Sequence, residues 1–430
     1  MWPSRPAIRD GRGGTGGLWT VRTRAVTAAS VAMALTAPGQ TAAVSVFVDP
    51  IISDLGLSRT AVSAAYLAGT LTAAVAMPAL GSALDRWGPR RLMLVVAAAF
   101  GAILVASSAM DGPVGLVAGF VGVRLAGQGA LNLVATTSVA LYVTHRRGSA
   151  IGLASALGTA GISLAPLLLE RLIAGGDWRA VWFFEGIAVW AVVIPVTLLV
   201  LPRRPVADPV PAVGPHDADR AGDPGVDWTP RRAMGTGMFW VVAAGVGACS
   251  LVATGLNFHQ QSLLGERGLS PAAAAATFVP QTVAGLVATF ALGWLADRFS
   301  DRLLIVLTMV ALALATVGAG WLGPGLGAVG YALAIGACGN GVRTLEAVAF
   351  PRLFGLTHLG AIRGIVHAVA VASSAFGPVL LALGRGAASS YRPVLLAFAV
   401  LPVVVVVAAL VTPEPRATPT PRSPVASGES

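Results

Sequence analysis

The chain has 430 residues, 55% hydrophobic and only 11% charged, with a mean hydropathy of +0.77 and a formal charge of +10. Soluble domains carry roughly a quarter charged residues, so this much apolar surface cannot all be hidden in a water-soluble core. Every basic residue is Arg, and most stand in short segments between apolar runs, a placement that the positive-inside bias of membrane proteins explains without nucleic acid as a partner.

Along the chain, residues 1–22 read as a cytoplasmic tail in which Arg5, Arg9 and Arg12 stand among glycines. The apolar run after Arg24 is longer than a signal-peptide core, so no cleavage is expected. Hydropathy then predicts spans at 23–49, 60–84, 91–110, 114–143, 149–173 and 179–201, and again at 238–264, 271–295, 302–321, 325–354, 362–383 and 392–412. Leu92 to Met110 and Val394 to Val411 hold no charge at all over a length close to the ~20 residues that cross a bilayer. The expected fold is an all-α integral membrane protein with twelve transmembrane helices in two pseudo-symmetric six-helix bundles, 23–201 and 238–412. Between them, 202–237 is rich in proline and charge and reads as a solvated linker, and 413–430 has the disordered composition of a tail. Cys249 and Cys338 lie in apolar stretches and read as small buried hydrophobes.

Arginines alternate from connection to connection. Arg22 and Arg24, Arg86, Arg90 and Arg91, Arg146 and Arg147, Arg203, Arg204, Arg231 and Arg232, Arg298 and Arg302, and Arg363 occupy one side, whereas the other holds chiefly Arg59, Arg179, Arg267 and Arg392. Both termini and the linker are therefore expected in the cytoplasm, in a multi-pass protein of the plasma (inner) membrane.

One offset recurs. Gly81, Asp85, Arg86 and Arg90 map onto Gly293, Asp297, Arg298 and Arg302, each 212 positions on (297 − 85 = 212). The same shift carries Gly56-Leu57-Ser58 onto Gly268-Leu269-Ser270, Gly127 and Gly129 onto Gly339 and Gly341, Gly148 and Gly152 onto Gly360 and Gly364, and Pro166 onto Pro378. Repeats of the same orientation imply an axis along the membrane normal and a solute site between the halves.

The run Gly81-Ser82-Ala83-Leu84-Asp85-Arg86-Trp87-Gly88-Pro89-Arg90-Arg91 resembles the signature loop of the major facilitator superfamily between its second and third helices. The copy from Gly293 to Arg302 departs from it at Ser300 and Asp301. The resemblance implies that Gly81, Asp85, Arg86, Gly88, Arg90, Gly293, Asp297 and Arg298 form a conformational lock, with Asp85 holding a helix end of the opposite half. Arg124, followed by Gly127 and Gly129, is similar to that family's fourth-helix pattern, while Ala165 before Pro166 departs from the pattern associated with antiporters. Phe258 to Phe278 and Phe354 to Gly364 resemble the monocarboxylate and oxalate/formate branch, which expects a basic residue in helix 8 or helix 11, although Pro271 to Leu295 contains none and the chain has no lysine.

A charge inside a bilayer costs at least ~2.5–3.5 kcal/mol, so ionisable residues in spans face a polar cavity or a partner. By position Arg124, Arg343, Glu346 and His367 lie deepest, with His259 and Glu185 nearer the outer side. Arg343 and Glu346 are three apart and share a helix face, which is compatible with a structural ion pair or with an anion clamp beside a proton acceptor. His367 suits a proton relay or simple packing. Gln40, Asn132, Asn257 and Asn340 can line the pathway or staple helices.

No Walker loop, catalytic constellation or metal-ligand spacing occurs, so neither an enzyme, a cofactor nor a metal is expected. The reading is a monomeric secondary transporter moving a small-molecule solute with protons across the lipid bilayer, foremost uptake of a small organic anion. Proton-driven efflux of a drug-like or lipophilic metabolite is the alternative, and a non-transporting receptor or scaffold the alternative of another class.

Overall fold

The computed structural model describes residues 20–143, 147–201, 228–296, 298–321, 323–355 and 359–413, all helix or connection, with no strand among the described residues. Ten of its helices are long and apolar enough to cross a membrane. The expected first and tenth crossings stand outside that set. The tenth, Leu326–Phe354, has its hydropathy lowered by Arg343, Glu346 and Arg352. The first is not one continuous helix over 23–49: Val21–Ala34 stops, a short turn Ala37–Gly39 follows, and Thr41–Leu55 resumes. Pro38 causes the break, because it brings no N–H to the ladder.

Apolar side chains are distributed as a lipid solvent demands. One buried cluster unites Ala25 to Leu201 of the first half, another unites Trp228 to Ala409 of the second. Phe290, Leu314, Val407 and Leu410 meanwhile stay exposed on the outer surface, a distribution that water would penalise and hydrocarbon does not.

The repeat seen in the sequence has a structural meaning at each copied motif. Gly56 and Gly268 both take left-handed backbone (φ +63° and +85°), ending the helical segment before them. Ser58 and Ser270, two residues on, both cap the next helix by accepting from the N–H of Ala61 and Ala273. Arg90 donates to the carbonyls of Thr197 and Leu198 (3.2 and 2.6 Å) at the end of the sixth span, and Arg302 donates to Thr412 O (2.7 Å) at the end of the twelfth. In both halves a guanidinium thus satisfies carbonyls that a helix end leaves open.

The copies diverge where their residues differ. The second and third spans run on as Arg59–Ser107, bent at Gly88, whose φ of +74° suits glycine. At the equivalent position (88 + 212 = 300), Ser300 instead caps a fresh helix, Asp301–Gly318, through Leu303 N–H. Within the expected linker, Pro230–Met234 forms a short helix, and Trp228 packs edge-on against Phe354 with centroids 5.8 Å apart.

The sparse arginines of the end opposite the termini, here the far end, are local staples. Arg59 pairs with Asp49, and Arg179 with Asp54 and, at 3.2 Å, Asp111. Arg392 donates to Gly320 O at 3.0 Å.

Candidate transport pathway

Arg124 is 1% exposed, a cation at the centre of the first half. Its backbone opens a wide π-helical turn, Arg124–Leu131, inside the fourth span. No carboxylate lies within ion-pair distance among the described residues. Neutral groups hold it instead: Nε donates to Thr70 Oγ1 (3.1 Å), Nη1 to Gly39 O (2.9 Å) and Thr41 Oγ1 (3.5 Å), and the guanidinium lies 4.4 Å from the centroid of Tyr66. The broken first span makes this possible. Gly39 O lies just before the helix restarts, outside its ladder, and so is available to accept. A Cβ at Gly39 would sit 2.7 Å from Val123 O and Gln128 N, so only glycine admits the fourth span this closely. Gln40, beside the break, donates to Thr36 Oγ1 at 3.0 Å.

The ion pair between Arg343 and Glu346, one of the two readings of their spacing, does not form. Glu346 bonds Arg363 across to the eleventh span (Nε to Oε1, 3.4 Å), and Arg343 stands exposed with no carboxylate at ion-pair distance among the described residues. A same-helix pair of this spacing is worth only a few tenths of a kcal/mol, less so with the base preceding the acid, so a partner from another helix readily displaces it. Arg363 offers Glu346 a partner from a neighbouring helix. His367, exposed one turn after Arg363, shares its face. With ~1.5 Å rise per residue, Glu346 and His367 each lie eight residues, ~12 Å, from the helix ends at Phe354 and Leu359. They stand at one depth.

The amides are not brought to one place. Asn257 Oδ1 accepts from Gln281 Nε2 at 2.8 Å. Asn340 packs against the eighth span, where a Cβ on Gly285 would meet its Nδ2 at 2.5 Å. Asn132 is half-buried in the first half. His259 is buried and bonds Pro378 O through Nε2 at 2.9 Å, which ties the end of the seventh span to the eleventh.

Of the lock residues, Gly81 and Gly293 face open space, Arg86 is exposed, and Arg298 folds back over Trp294 at 3.8 Å. The Asp85 side chain and Asp297 lie outside the described residues. What is described of Arg90 serves its own half.

Side-chain hydrogen bonds between the halves are confined, among the described residues, to two. Ser163 of the fifth span meets Thr282 of the eighth in a part-buried contact, and Gln261 Nε2 donates to Glu170 Oε2 at 2.8 Å in a buried one. Ser163 and Glu170 are seven residues apart, two turns of one helix face. Tyr66 and Phe258 add a ring contact at 4.7 Å. Toward the termini the described bonds stay within a half, as from Arg24 to Val200 O (2.9 Å) and Arg352 to Ala296 O (2.7 Å).

Glu170, Gln260, Gln261 and Gln281 are absent from the sequence-derived candidates. The signal was present, since Glu170 and Gln281 fall inside expected spans, where any ionisable or amide group needs a partner. Tyr66, Thr41 and Thr70 were not legible, being ordinary residues until Arg124 meets them.

A profile described as Major Facilitator Superfamily matches residues 29–343. A 38 kDa protein in the 23S RNA operon of Thermoproteus tenax is 28% identical over 373 residues, 84% of this chain and 90% of its own. Among solved structures, a bacterial homologue of the human lysosomal transporter Spinster, inward-facing and unoccupied, superposes with a TM-score of 0.66 at 18% identity, covering 92% of this chain and 96% of that one. The nucleoside transporter NupG gives 0.67 at 16% identity, covering 91% and 98%.

Proposed function

This chain belongs to the major facilitator superfamily and is a multi-pass membrane transporter, and from that premise we propose that it takes up a small organic anion with protons by alternating access. The observation that carries the anion is the cluster on the tenth and eleventh spans. Arg343 and Arg363 outnumber Glu346 there, and Arg343 has no carboxylate partner among the described residues. A charged face at this depth belongs to a water-filled cavity, not to lipid, and a guanidinium without a counter-ion offers a planar fork to a carboxylate.

Arginine placement supports cytoplasmic termini, a cytoplasmic 202–237 linker and a plasma-membrane location. The two halves, 23–201 and 238–412, then meet at the outer end, and the exposed charges of Arg343, Arg363 and His367 face inward. Glu346, when it takes a proton, releases Arg363 and leaves two cations to hold the solute.

Proton-driven uptake of radiolabelled monocarboxylates into proteoliposomes tests this. Arg343→Ala is expected to weaken apparent affinity by at least ~10-fold, and Glu346→Gln to retain exchange while losing stimulation by a pH gradient. Undiminished coupling in Glu346→Gln removes that residue from the mechanism.

A further inference from the structure

Two amide oxygens of the second half have no hydrogen-bond donor among the described residues. Gln281 Oε1 and Gln260 Oε1 are both enclosed, and their side chains are 9% and 0% exposed. Leaving a buried acceptor unmet costs about 1–3 kcal/mol, so an enclosed carbonyl without a partner calls for a donor brought from elsewhere. The orientation of Gln260 is fixed by its surroundings. Thr277 Oγ1 donates to Ala274 O at 2.5 Å, so it accepts from Gln260 Nε2, which also lies 3.4 Å from Ala274 O. The nitrogen must face those oxygens, and Oε1 faces away. Gln281 follows Thr277, which holds the Gln260 amide nitrogen, by four residues, about one helical turn along the eighth span.

The tenth span supplies a ruler from there to the cation. Gly336 packs on the Gln281 backbone so closely that a Cβ would lie 1.9 Å from Gln281 O, which sets both at one level. Arg343 is seven residues further along, ~10 Å. Helical side chains lean back toward the start of their helix, a tendency that in Arg343 would shorten that gap toward the length of a short carbon chain.

We propose that the transported anion carries hydroxyl or N–H donors at the end remote from its carboxylate, accepted by Gln281 with Gln260 behind it. The second half thereby reads both ends of the solute: Arg343 the charge, the amide oxygens the far group. Asn257, which holds Gln281 Nε2 at 2.8 Å, is a positioning residue that keeps the Gln281 oxygen turned away from the seventh span.

The inference rests on the anion reading, and pentanoate compared with 5-hydroxypentanoate separates the two. In competition against uptake by the full-length protein in proteoliposomes, 5-hydroxypentanoate is expected to compete about 10-fold better than pentanoate. Gln281→Met, which keeps shape and removes the acceptor, should bring that ratio close to one. Asn257→Ala should lower it without abolishing it, which also covers poor folding of the first variant. Equal competition by the two acids, or a ratio unchanged in Gln281→Met, overturns the inference and leaves the anion reading standing. If no monocarboxylate is taken up and neither acid stabilises the purified protein against heat, but 1,5-pentanediol stabilises it more than 1-pentanol, with the difference lost in Gln281→Met, the anion reading falls and the donor site stands. If no member of either pair competes or stabilises, both fall.

Discussion

The two halves share a scaffold and differ at its centre. Position 124 of the first half holds a buried Arg, and the aligned position of the second (124 + 212 = 336) holds Gly336. Around Arg124 the first span breaks, the fourth winds into a π turn, and hydroxyls and a carbonyl gather to hold one cation. Around Gly336 there is no charge to hold, and the eighth and tenth spans close to backbone contact. Thr70 and its counterpart Thr282 (70 + 212 = 282) show the same divergence: one steadies Arg124, the other crosses to Ser163 in the other half. The repeated template conserves helix ends, and its centre is free to specialise.

Removing the cation breaks this comparison most severely. Arg124→Leu leaves Gly39 O without its donor in a buried site and is expected to lower initial uptake by at least ~100-fold. Arg124→Lys should not restore it, because a single ammonium cannot span Thr70 and Gly39 as the fork does. Wild-type uptake in the Lys variant would mean that charge alone matters.

Gly336→Ala comes next. Forcing its Cβ against Gln281 O should cost about 1–3 kcal/mol, visible as a lower unfolding temperature in detergent. Gly293→Ala, facing open space in the eighth span, serves as the control and should leave that temperature unchanged or raised. Equal behaviour of the two would refute close packing as the reason for Gly336.

A smaller effect is expected at the seam. Thr282→Val removes the hydroxyl contact with Ser163, and at about 0.5–1.5 kcal/mol should shift the balance toward outer opening by roughly 2- to 10-fold. Cysteine accessibility at the far end reads that shift. Thr70→Val should leave the same accessibility unmoved while impairing uptake, since Thr70 serves Arg124 within its half.

The smallest effect belongs to the shared template. Arg90→Ala and Arg302→Ala each remove donors to the last carbonyls of a half and should each cost about 1 kcal/mol. Lying in separate halves, they should add within about 0.5 kcal/mol in the double variant. Strong non-additivity in unfolding would show that the two caps communicate.

Much of the site was legible because bilayers make charges conspicuous. Arg124, Arg343, Glu346 and His367 stood out by type and span position alone. Their partners did not. Glu346 chose Arg363, which the arginine count groups with the connections, at the very start of the expected 362–383 span. Gln281 and Glu170 had the same claim to notice as Asn257, but only contact with Asn257 and Gln261 shows what they do.

The sequence by itself determined a membrane protein of apolar helices in two copies, because length, hydropathy and a constant offset are properties of the chain read in one dimension. It also marked the residues that cap helices in both copies, since a helix end is a local event. Only the tertiary structure decided that Arg124 rests on the broken first span, that Glu346 abandons Arg343, and that the halves meet through Ser163, Glu170, Thr282 and Gln261. Each of these depends on which groups become neighbours once the helices pack, and a buried polar group settles on whichever partner that packing brings within ~3 Å.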